Sequence, residues 1–103
     1  MGGISKKPAA GGASELEGVW KVKDSVGEEF EITLGADGTA RATLDEDMSG
    51  PWTREGDAAV IVWKSGWTTK IFKEGDVYKK TAYRKGQALD TAPVNSSAAE
   101  KIG

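Results

Sequence analysis

Phe30-Glu31-Ile32-Thr33-Leu34-Gly35-Ala36-Asp37-Gly38-Thr39-Ala40-Arg41-Ala42-Thr43-Leu44 reads as two strands joined by a tight turn. Phe30, Ile32 and Leu34 alternate with Glu29, Glu31 and Thr33, and Ala40, Ala42 and Leu44 alternate with Thr39, Arg41 and Thr43. Side chains along a strand point to opposite faces in turn, so a period of two marks a sheet with one buried and one solvated face. Gly35 and Gly38 flank the turn and tolerate the backbone angles that short hairpins demand. One antiparallel hairpin is thereby set.

The same grammar extends both ways. Upstream, Leu16, Gly18, Trp20 and Val22 share one face, with Glu17, Val19, Lys21 and Lys23 on the other. Downstream, Pro51 suits a strand start, Trp52 to Arg54 make a short strand, and Glu55-Gly56-Asp57 turns the chain. Val60-Ile61-Val62-Trp63 is the most apolar run and is expected as a central strand. A strand from Trp67 to Phe72 follows, then the turn Glu74-Gly75-Asp76 and a last long strand from Val77 to Tyr83. Turn signals every eight to twelve residues are the spacing of all-β barrels and sandwiches. The expected fold is a single-domain, all-β antiparallel meander of seven to eight short strands, closed or nearly closed as a barrel. Gln87 to Thr91 is the candidate eighth strand. The core falls to Trp20, Val22, Phe30, Ile32, Leu34, Leu44, Ile61, Trp63 and Ile71.

Three segments follow. Residues 1–14, rich in Gly, Ala, Ser and Lys, cannot bury enough apolar surface to offset their ordering entropy and read as a disordered arm. Residues 15–91 make the barrel. Residues 92–103 read as a tail with at most one helical turn, because Ser97-Ala98-Ala99-Glu100 matches a capping box.

The 103 residues contain neither His nor Cys. The commonest general base, thiol nucleophiles, disulfides and ordinary zinc sites are therefore unavailable, and no catalytic residue, metal site or cofactor is expected. Asp45-Glu46-Asp47-Met48-Ser49-Gly50 resembles the start of a calcium loop, but Gly56 stands where the closing glutamate belongs, so an acidic turn is the better reading. Asn95-Ser96-Ser97 fits a glycosylation acceptor, a triplet common by chance. No apolar run reaches the roughly 18 residues of a membrane span, and Lys6 breaks the myristoylation pattern. A soluble monomer is expected, and the absence of cysteine suits a reducing cytoplasm.

The tryptophans and the charge distribution supply the candidate sites. Trp20 reads as a core anchor at the barrel floor, while Trp52, Trp67 and Tyr83 are read as surface aromatics that could stack a small molecule or a protein partner. Up to Pro51 there are 5 basic and 10 acidic residues, whereas from Trp52 on there are 9 basic and 6 acidic. Lys70, Lys79, Lys80 and Lys85, interleaved with aromatics, carry a second reading as a single-stranded nucleic-acid binder. The net charge of −2 speaks against strong phosphate binding.

Leu16-Glu17-Gly18-Val19-Trp20, opening an antiparallel meander, resembles the Gly-x-Trp start of lipocalins and their calycin relatives. The resemblance implies a barrel whose tryptophan packs across the floor beneath a basic residue from the last strand, with Arg84 as the matching candidate. It also implies a non-catalytic binding module. Eight short strands make a barrel about wide enough to be filled by its own side chains, so binding at the rim is expected rather than in a deep cup.

Overall fold

The computed structural model describes residues 15–44 and 48–103. The expected arm over residues 1–14 and the acidic loop residues Asp45, Glu46 and Asp47 lie outside them. Eight strands follow one another: β1 (Gly18–Lys23), β2 (Glu29–Leu34), β3 (Thr39–Ala42), β4 (Ser49–Glu55), β5 (Ala58–Val62), β6 (Thr68–Glu74), β7 (Val77–Tyr83) and β8 (Asn95–Lys101). Each pairs antiparallel with its neighbours in sequence, and β8 returns to β1, closing the barrel. The described residues contain no helix.

Alternation fixes which face is inside. Trp20 and Val22 of β1 stand opposite Ile32 and Phe30 of β2, and all four are buried. Residues directly opposite one another share a face, so Trp52 opposite Ile61 and Ala59 opposite Ile71 continue the core around the ring. The hairpins β4–β5 and β6–β7 are joined by two-residue loops, Gly56-Asp57 and Gly75-Asp76, with positive φ at the glycine in each case (62° and 65°). Positive φ at the first loop residue alone is the pattern of a type II′ turn, whose twist matches that of the strands it joins.

Three expectations need correction. Residues 95–101 are not a helical turn but the closing strand, and Gln87 to Thr91 does not pair as a strand. The capping-box reading fails because five residues of β8, from Asn95 to Ala99, find partners on β7, and a strand in register satisfies backbone groups that an isolated turn would leave to water. Leu44 is not in the core: β3 ends at Ala42, so the alternation stops there and Leu44 is 45% exposed.

The floor of the barrel is a packed layer. The Trp20 indole N–H donates to the Leu16 carbonyl at 2.8 Å, and its ring lies 4.8 Å from that of Tyr78, centroid to centroid, tilted by 58°. The basic residue over Trp20 is Lys101, with Nζ 6.0 Å from the ring centroid. Arg84 does not fill this role, because β7 runs away from the floor and ends at Tyr83 near the opposite rim. The expected pairing of Trp20 with a cation from the last strand holds, with β8 as that strand.

Candidate functional site

An eight-strand meander places its connections alternately at two ends. The β2–β3, β4–β5 and β6–β7 turns lie at the floor end with Trp20. The β1–β2, β3–β4, β5–β6 and β7–β8 connections lie at the other. At that second end the core stops short, and an open cup of about 740 Å³ takes its place. Its walls are mainly apolar: Phe30, Trp63, Ala82, Leu44, Met48 and Trp67. The expectation of a barrel filled by its own side chains is corrected here. Ala82 of the inner face, which lines the cup, leaves room that a larger residue would take.

Seven of the thirteen lining residues are polar, Asp24, Lys64 and Lys80 among them, although apolar atoms make up most of the wall. Lys80 occupies an inward position on β7 between Tyr78 and Ala82, and is 2% exposed while lining the cup. Its ammonium donates to Asn95 Oδ1 of β8 at 2.6 Å and lies 5.8 Å from the centroid of the Phe30 ring. Among the described residues, no carboxylate forms an ion pair with it. Burial pushes its pKa below the ordinary 10.5, and the charge of Asp24 opposes that shift without reversing it. Asp24 stands at the rim, where its Oδ1 accepts the Val26 and Glu28 backbone N–H groups at 3.0 and 2.9 Å. Deeper in, the Trp63 indole N–H donates to Thr69 Oγ1 at 2.7 Å, which fixes the ring as a wall.

Val26, Leu44, Trp67 and Val94, one from each of the four connections at this end, all carry exposed side chains. Leu44 and Trp67 line the cup, alongside the polar Asp24, Ser25, Lys64 and Ser65.

The expected ligand-stacking trio does not assemble. Trp67 lies at the mouth, 36% exposed and part of the wall. Trp52 is 1% exposed, with its indole N–H donated to the Gly35 carbonyl at 2.9 Å in a floor-end turn, so it is a core residue and not a surface aromatic. Tyr83 is buried too, opposite Thr68 on the outer face of the sheet.

The four lysines of the nucleic-acid reading do not form one surface either, although Lys70 and Lys79 share the outer face of β6 and β7. Lys80 faces inward, and Lys79 next to it faces outward in an ion pair with Glu74 at 3.0 Å. Lys70 lies on the outer face with Nζ 5.6 Å from the Phe72 ring centroid, and Lys85 sits in the exposed β7–β8 connection.

The sequence pattern places Phe30 and Trp63 in the core rather than in a cup wall, Thr69 and Ala82 carry no motif, and Asn95 stands out only as the start of a glycosylation triplet. One signal did exist for Lys80. A two-residue turn at Gly75-Asp76 sets Glu74 opposite Val77 and, counting back, Ile71 opposite Lys80. If Ile71 is inside, Lys80 is inside.

Among the described residues, no group of three or more acidic side chains, the sole metal-binding candidates in a chain without His and Cys, is placed to hold a metal ion, and no helix is long and apolar enough to cross a membrane. Comparison with family models, with curated proteins and with solved structures finds no match, so the geometry of the cup is what a functional reading has to rest on.

Proposed function

We propose that this domain is a non-catalytic, lipocalin-like binding module that takes a small molecule with an apolar body into the open end of its barrel. The observation that carries the reading is the cup of about 740 Å³, walled by Phe30, Trp63 and Trp67. That volume is within the range of ordinary small-molecule sites, roughly 300–1,000 Å³, and mostly apolar walls with a few placed polar groups are their usual make-up. The mouth supports it as well, since an apolar ligand meets the exposed Leu44 and Trp67 on its way in. The lipocalin-like character is supported at the other end, where Trp20 of the Gly-x-Trp motif lies under Lys101 of the last strand.

The test is a two-dimensional amide NMR titration, in which each of the four tryptophans reports through its own indole N–H. Naphthylmethanol, a neutral aromatic alcohol, serves as the probe. The expected result is saturable movement of the Trp63 and Trp67 signals, with Trp20 and Trp52 unmoved. Movement confined to Trp20 and Trp52, or no movement at all, overturns the reading.

A further inference from the structure

Resting on the cup as a binding site, we propose that Lys80 captures carbonyl compounds covalently and reversibly, so that the ligand class is an aldehyde with an aromatic or otherwise apolar body. A lysine in an inward barrel position is costly, since lysines are almost never fully buried without a charged partner. Lys80 has none among the described residues; its ammonium has one hydrogen bond, to Asn95, and an aromatic face, Phe30. Its neighbours directly opposite, Ile71 on β6 and Ser97 on β8, offer no charge. The fold therefore holds an amine in an apolar setting that packing alone would fill with Met or Leu.

Such an amine has a larger neutral fraction than a surface lysine, and the neutral amine is the nucleophile. The Nζ lone pair attacks the carbonyl carbon, and a proton moves from nitrogen to the former carbonyl oxygen. The hydroxyl then takes up the remaining N–H proton and leaves as water as the C–O bond breaks and the C=N bond forms. Nothing is oxidised or reduced, and the reverse hydrolysis releases the ligand intact. Asn95 Oδ1, 2.6 Å from Nζ, holds the amine in place for the attack.

The obvious rival is a carboxylate held by charge attraction, since the lining sets two cations, Lys64 and Lys80, against one carboxylate, Asp24. The covalent trap separates the two, because a carboxylate forms no imine. The negative charge of Asp24 acts on Lys80. Once the imine is protonated, the same charge favours it. The apolar walls keep bulk water from the C=N bond and slow its hydrolysis.

The experiment treats the full chain with naphthaldehyde at neutral pH, traps imines with cyanoborohydride and maps the adducts by mass spectrometry. The exposed Lys73 and Lys85, outside the cup, and the chain's terminal amine serve as internal references. The expected result is an adduct on Lys80 several-fold above that on Lys73 or Lys85, in the direction set by its larger neutral fraction. Naphthylmethanol should compete it away without affecting the references. Lys80→Arg, which keeps the charge but forms no imine, should lose this adduct alone, and Lys80→Met should do the same should the arginine variant fail to fold. Adducts spread evenly over the lysines, or an adduct on Lys80 indifferent to the alcohol, overturn the inference. Saturable binding of the alcohol with no Lys80 adduct overturns the covalent step and leaves the cup as a binding site; failure of both alcohol and aldehyde to enter overturns the two together.

Discussion

Lys80 ties local chemistry to folding stability. Its pKa is lowered by burial in the native barrel, while the unfolded chain restores the ordinary 10.5. Between the lowered value and 10.5 the unfolded state holds more proton than the native one, so stability rises with pH across that window. Below the window the cost of burying the charge is constant. Lys80→Met removes both the cost and its pH dependence. Wild type is therefore expected to gain on the methionine variant as pH climbs towards 10.5, read as the difference between their urea midpoints at several pH values. A difference that stays flat with pH counts against an interior ammonium. The two neighbouring residues on β7 show why parity matters more than residue type. Lys79 pairs with Glu74 in solvent while Lys80 lies inside, one position further on. Trp52 and Trp67 make the same point: Trp52, read as a surface aromatic, is interior because it faces Ile61 across a two-residue turn, and only Trp67 reaches the mouth.

Strand β4 depends on a residue with no side chain at all. A Cβ on Gly50 would lie 2.0 Å from the Val62 carbonyl oxygen and 3.0 Å from the Trp63 Cα, both backbone atoms that cannot swing aside. The close approach lets Lys64 N–H reach the Ser49 carbonyl at 2.8 Å and seats Trp63 against the cup. Gly50→Ala is expected to destabilise the barrel by about 3 kcal/mol, the upper part of the range for forcing atoms into a packed site. Chemical denaturation measures it, and a loss under about 1 kcal/mol would show that β4 and β5 can part easily. At this scale the sequence was legible wherever alternation met a turn of known length, as in β2–β3, β4–β5 and β6–β7. It was not legible in β8. Asn95-Ser96-Ser97-Ala98-Ala99 has little strand propensity of its own, and what makes it a strand is a long-range partner on β7 that no local pattern reveals. The cup was hidden for a related reason: its walls come from four strands and three of the connections between strands, brought together only in three dimensions.

Closure of the whole ring rests on its shortest seam. β1 and β8 share two register pairs, Trp20 with Lys101 and Lys21 with Glu100, against seven between β6 and β7. Three backbone N–H groups of the seam add to it: Ile102 donates to the Val19 carbonyl at 2.8 Å, Val19 to the Gly103 carbonyl at 3.3 Å, and Lys23 to Ser97 Oγ at 3.1 Å. A 103-residue chain has total stability on the order of 5–15 kcal/mol, so losing one strand of eight removes most of the margin. Deleting residues 95–103 is expected to abolish cooperative unfolding, seen as loss of the near-ultraviolet dichroism of the packed tryptophans. A deletion variant that retains a sharp transition at the wild-type midpoint would mean that seven strands close by themselves.

The order in which the chain is made gives that seam a further meaning. β1 leaves the ribosome early and β8 last among the eight strands, and Asn95 of β8 is itself part of the wall beside Lys80. During synthesis the growing sheet keeps two bare edges, the kind of surface that invites pairing with other chains. It cannot yet hold a guest. Completion of the eighth strand covers the edges and finishes the cup in a single event, so a nascent chain has no ligand-ready intermediate to occupy.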